Sequence, residues 1–88
     1  MAESFRICVV TGDATLLDRQ VSYANLPTGY GSVGILARHA PMFCAVAKGL
    51  LRCTTEEGNT LRMEISDGVA SVEKNVLTVL MRDARLLE

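Results

Sequence analysis

Eighty-eight residues make one domain, and 49% apolar against 22% charged residues suits a single core without disulfide or metal support. Nine basic and ten acidic side chains are mixed along the chain for a formal net charge of −1, so the electrostatic footprint of a nucleic-acid binder is missing. The start lacks the basic and apolar pattern of a targeting peptide, and no apolar run approaches the ~18–20 residues that cross a bilayer, so direct membrane insertion is not expected.

Along the chain the dominant period is two. Phe5, Ile7 and Val9 share one face of the opening segment, with Arg6 on the other. Gly12-Asp13 reads as a turn. Thr15 to Leu26 is ambiguous at its start, and from Val21 on the odd positions look apolar. Thr28 to Gly34 is a glycine-dense cluster that matches the bare string G-x-G-x-x-G. That fingerprint needs a helix to follow, and residues 35–40 leave only six positions before Pro41. A tight bulged corner between strands is the expectation, not a phosphate loop.

Beyond Lys48-Gly49, Leu51 and Cys53 alternate with Arg52 and Thr54, and Leu61 to Ile65 alternates without a fault. Val69–Val72 and Val76–Leu80 are rich in β-branched residues. Glu57-Gly58-Asn59 and Lys74-Asn75 suit hairpin tips, because glycine and asparagine tolerate positive φ. The clearest meander runs Leu50–Thr54, Thr60–Ser66, Val69–Glu73 and Val76–Met81, with antiparallel pairing expected from the short connections. Arg82 to Leu87 offers at most the start of a helix. Turns recurring at intervals of roughly 8–12 residues predict an all-β sandwich or barrel.

Chemistry-bearing residues are few. Cys8, Cys44 and Cys53 lack paired spacing and read as reduced, small apolar side chains of an intracellular protein. With His39 they fall short of a metal-ligand pattern. His39 also lacks a base–orienter context, and the carboxylates are scattered over tips and polar strand faces. Neither enzyme activity nor a cofactor is expected.

The stretch Pro27 to Met42 resembles the most characteristic segment of ATP synthase ε subunits, P-G-x-x-G-x-x-G-I-x-P-x-H-A-P-L. Gly31, Gly34, Ile35, His39, Ala40 and Pro41 match in register. Ser66–Val72 with Asn75–Leu80 is similar to a second family block, and Lys48–Arg52 to a third between them. Thr28 stands where the family has glycine, Ala37 where it has proline, and Tyr30 and Ser32 where acids are common.

The resemblance implies an antiparallel β-sandwich of about ten strands in two sheets, spanning residues 1–88 at the foot of a rotary central stalk. It implies a non-catalytic part that couples rotation of the c-ring to the γ subunit. Gly29, Tyr30, Gly31, Ser32 and Val33 are the expected c-ring contact. His39, Ala40, Pro41 and Met42 are the expected γ contact, with Met42 and Phe43 open to either a core or an interface role. The expected location is the cytoplasmic side of the bacterial cell membrane, peripheral and through the complex. Typical members continue with a two-helix C-terminal hairpin, and the expectation is that this domain is absent, with support for coupling but not hairpin-type inhibition. The alternative reading, a stand-alone β-sandwich ligand-binding or adaptor module, has only Phe5, Tyr23, Tyr30 and Phe43 to offer as aromatics.

Overall fold

The computed structural model describes residues 3–87, and every regular element in that range is a strand. In chain order these are β1 (Phe5–Val10), β2 (Thr15–Thr28), β3 (Gly31–Leu36), β4 (Met42–Val46), β5 (Gly49–Thr55), β6 (Thr60–Ile65), β7 (Gly68–Glu73), β8 (Val76–Met81) and β9 (Ala84–Leu86). Pairing follows the path β4-β7-β8-β1-β2-β5-β6-β9, with β3 on the far part of β2. The path is continuous, with nine strands among the described residues rather than ten in two separate sheets.

The strand responsible is β2, whose 14 residues belong to both halves of the molecule. Its first part pairs with β1 from Thr15 to Val21, and its second with β3 and β5. At the changeover Val21 faces Thr55 while Tyr23 faces Thr54, so Ser22 is the extra residue of a bulge. The bulge inverts the parity of burial. Val21 is buried, but beyond it Ala24 and Leu26 turn inward and Tyr23 turns out. The expected run of inward odd positions therefore ends at Val21.

One expected pairing, that of β6 with β7, does not form. The meander is split: β5–β6 and β7–β8 are hairpins, but β6 pairs with β9, and β7 with β4. Ser66-Asp67 carries the chain from one half to the other beside the return link Arg82-Asp83. Ser66 N donates to Asp83 O at 2.9 Å, and Asp83 N to Ser66 Oγ at 3.0 Å. Gly68 makes this crossing possible, since a Cβ there would stand 2.9 Å from Met81 Cα and closer still to the Leu80 carbonyl. In addition, β1 and β8 run parallel, which nothing forbids once they are not joined by a short turn. Within Arg82 to Leu87, which offers at most the start of a helix, Ala84–Leu86 forms the strand β9.

Phe5, Ile7, Val9, Leu77 and Val79 from one half meet Leu26, Ile35, Leu51 and Met63 from the other in a single buried cluster. Each such side chain contributes about 1.5–3 kcal/mol on burial. The hairpin tips follow local chemistry: Lys74 and Asn75 have φ of 53° and 65°, the signature of a primed two-residue turn. Gly58, at φ 93°, closes the other tip by donating to Thr55 O at 2.9 Å.

Candidate docking surfaces

The cluster Thr28–Gly34 proves to be a hairpin. Thr28 pairs with Gly31, leaving Gly29-Tyr30 as the loop between β2 and β3. Thr28 Oγ1 accepts the Tyr30 amide at 3.2 Å and donates to the Gly31 carbonyl. Gly31 sits at φ 119°, where a side chain would be strained. Tyr30 is wholly exposed, at 104%. Of the five residues expected to make the ring contact, Gly29, Tyr30, Gly31 and Ser32 are exposed, while Val33 packs against the core.

His39 lies at the other end of β3, roughly 20 Å from the tip at ~3.3 Å per residue. Arg38 is held there at φ 63°, an uncommon conformation for a residue with a long side chain. His39 N donates to Leu36 O at 3.2 Å, and His39 Nδ1 lies 2.7 Å from Ala40 O, which assigns a proton to that nitrogen. Asn75 reaches over from the β7–β8 tip and fixes the corner. Its Oδ1 accepts the Arg38 amide at 2.7 Å, its Nδ2 donates to Ser4 O at 2.9 Å, and its carbonyl accepts Arg6 N at 3.1 Å. One side chain thus ties together segments 37 and 71 residues away.

Strand parity divides the residues that follow the corner. Met42 points inward against the core, whereas Phe43 points out and is 74% exposed. A shallow depression lined by Pro41, Met42, Phe43 and Ser71 connects corner and strand face. Across that face the register aligns Ala45, Val69, Leu80 and Val10 in one row, and Phe43, Ser71, Thr78 and Cys8 in the next. Leu80 is 47% exposed. An apolar strip on the outer side of a strand layer is a candidate interaction site. Apart from Phe43, sequence reasoning missed this strip. The available signal was Val79-Leu80-Met81, an unbroken apolar run that implies burial on both faces.

The ionisable groups are arranged for bracing. Arg6 and Asp18 form a bidentate pair, Nε to Oδ1 at 2.8 Å and Nη2 to Oδ2 at 2.7 Å. The hydrogen bonds from Arg6 hold the Asp18 carboxyl below its usual range. Burial pushes the Cys53 and Cys8 thiols up. Among the described residues, no three His, Cys, Asp or Glu side chains converge as metal ligands.

The exposed features of this all-β chain thus include a glycine tip, a latched corner and an apolar strip. The family model of the ATP synthase δ/ε chain β-sandwich domain matches residues 4–86, and the chain belongs to that family. It is 34% identical over 85 residues to the chloroplastic ATP synthase ε chain of Oltmannsiellopsis viridis, covering 97% of this chain and 64% of that one. It is 36% identical over 81 residues to the Coffea arabica counterpart, covering 92% and 61%. The chain therefore spans less than two thirds of the length of these relatives. In a Euglena gracilis mitochondrial ATP synthase structure containing OSCP, F1 and c-ring, one chain superposes with a TM-score of 0.90 at 26% identity, over 96% of this chain and 54% of that one. A chain of the Tetrahymena thermophila mitochondrial central stalk and c-ring shares the fold, with a TM-score of 0.76 at 13% identity. These relatives are chloroplastic and these structures mitochondrial, which overturns the expected bacterial cell membrane.

Proposed function

We propose that the chain works as the sandwich domain of an ATP synthase ε subunit, a non-catalytic rotor part that clamps the central stalk to the ion-driven c-ring. The apolar strip of Phe43, Ala45, Val69 and Leu80 takes the γ subunit, with His39, Ala40 and Pro41 at its margin. Gly29, Tyr30, Gly31 and Ser32 reach the polar loops of the ring from the far end of β3. Met42 and Val33 serve these sites from within, by packing. The chain would meet the membrane only through the ring.

One observation carries this reading: Phe43 stands 74% exposed beside a row of apolar side chains on a strand face continuous with the His39 corner. A rotor clamp needs a stiff body with separate sticky surfaces, and the two candidate surfaces lie at opposite ends of one strand.

Binding of the chain to purified γ and, separately, to a γ–c-ring subcomplex tests the proposal. Native chain should bind both, and more tightly to the subcomplex. Phe43→Asp should weaken binding to γ about 30-fold, as for an interface hot spot of about 2 kcal/mol. Its thermal midpoint should stay close to that of the native chain. A native chain that ignores γ would favour the stand-alone module instead.

A further inference from the structure

The outer face formed by the second part of β2 with β5 and β6 differs in chemistry from the apolar strip. Here the register sets Arg52 directly opposite Arg62, and both are exposed. Like charges at directly opposed positions disfavour the pairing of their strands. Elsewhere the chain neutralises its arginines: Arg6 with Asp18, Arg19 with Glu57, Arg38 with Glu3, Arg82 with Asp83 and Arg85 with Glu64. Among the described residues Arg52 and Arg62 have neither an acidic partner nor a side-chain hydrogen bond. The obvious acid, Glu64 on the same face of β6, is engaged by Arg85 across the β6–β9 pair.

Tyr23 stands next to the arginine pair, opposite Thr54, while Asn25 is opposite Arg52. The Tyr23 ring lies over Gly34, where a Cβ would stand 3.0 Å from the hydroxyl. Asn25 Nδ2 donates to that hydroxyl at 3.2 Å. The oxygen is thus engaged as an acceptor, and its own proton finds no acceptor among the described residues. The groups left without a partner include three donors, two guanidiniums and one hydroxyl, the last held in place by Gly34 and Asn25. Leu36, paired with Tyr23 on β3 and 61% exposed, adds apolar area beside them.

We propose that Tyr23, Arg52 and Arg62 form a third docking surface, whose occupant is an acidic polypeptide segment presenting two or more carboxylates. A carboxylate accepts hydrogen bonds without donating and matches the planar fork of a guanidinium. The donors stand on an open strand face without enclosing walls, whereas small anions are held in concave sites. Tyrosine and arginine beside an exposed leucine give the composition found at protein interface centres. This surface goes beyond the proposed function and needs neither γ nor the ring.

An NMR titration of the whole chain with an octaglutamate peptide at low salt tests it. The peptide should shift the amides of Tyr23, Asn25, Arg52 and Arg62, and its affinity should fall about tenfold at high salt, where exposed charges are screened. The double variant Arg52→Gln/Arg62→Gln should weaken binding about tenfold or more, Tyr23→Phe about threefold, and Arg38→Gln not at all. Since the two arginines are exposed and repel one another, the double variant should keep its spectrum and its thermal midpoint. The proposal is overturned if the peptide leaves the spectrum unchanged, or if the folded double variant binds it as tightly as the native chain. It is equally overturned if ATP or phosphatidylserine vesicles occupy the patch more tightly than the peptide.

Discussion

The two turns that bound β3 are built on different plans. At the Gly29-Tyr30 tip every bond is local: Thr28 satisfies Tyr30 and Gly31, and a glycine absorbs the positive φ. At the His39 corner the positive φ falls on Arg38, and its amide is held by Asn75 from a different hairpin. A local turn moves with its own strands and can adapt to what it meets. A turn fastened to distant segments is set by the fold as a whole, so it presents one shape. Under the proposed function, the contrast would give γ a corner of fixed shape and the ring a compliant tip.

Asn75→Ala should break that contrast with the largest effect. It removes two side-chain hydrogen bonds at about 0.5–1.5 kcal/mol each, and puts alanine at φ 65°, costing about 1 kcal/mol more. A loss of roughly 2–3 kcal/mol in chemical denaturation is expected, the lower part of the possible range because the bonds are exposed. Asn75→Gly keeps the turn and should cost about 1–2 kcal/mol, since only the bonds go. In both variants the Arg38 and His39 amides should exchange faster with deuterium while those of Gly31 and Ser32 stay as they were. Equal change at both turns would erase the distinction.

The reciprocal change is smaller. Gly31→Ala puts a Cβ into open space but at φ 119°, so only backbone strain opposes it. About 1–2 kcal/mol should be lost, with the spectral changes confined to the tip and the His39 corner unmoved. Spread of those changes to Asn75 would mean that the tip is coupled to the body after all.

These contrasts were unevenly visible in the chain. Alternation in Leu61–Ile65 and Phe5–Val9, and the asparagine and glycine at the hairpin tips, marked strands and turns because period and positive φ are local properties. Which strands pair is not local. Ser66-Asp67 looks like any short turn, and only Gly68 beneath the Leu80 carbonyl lets it cross between halves. The Ser22 bulge flips Tyr23 outward with no signature in residue type, which hid the donor patch until the register was known. At the candidate sites the glycine tip could be read directly. Met42 and Phe43 could not be assigned inward and outward without the start of β4. Asn75 matched a family block, but its bonds to Arg38 and Ser4 span 37 and 71 residues, beyond the reach of any pattern.

The smallest effect concerns the brace behind the corner. Arg6 donates its amide to Asn75 and its guanidinium to Asp18, so the ion pair steadies the strand on which the latch closes. Pairing keeps the folded Asp18 carboxyl more acidic than in the unfolded chain, where it titrates near 3.9. The folded state then takes up this proton less readily, so the pair's contribution is full above about pH 4–5 and drains away as pH falls through the native value. Asp18→Asn should lower the thermal midpoint slightly at neutral pH, by an amount that salt reduces because both partners are exposed. The gap between variant and native chain should close in acid. In the same samples the Arg38 amide should exchange somewhat faster in Asp18→Asn at neutral pH, with the Gly31 amide unchanged. A gap that keeps its neutral-pH size into strong acid would show that Asp18 acts by some means other than its charge, and the brace would then not belong to the corner's plan.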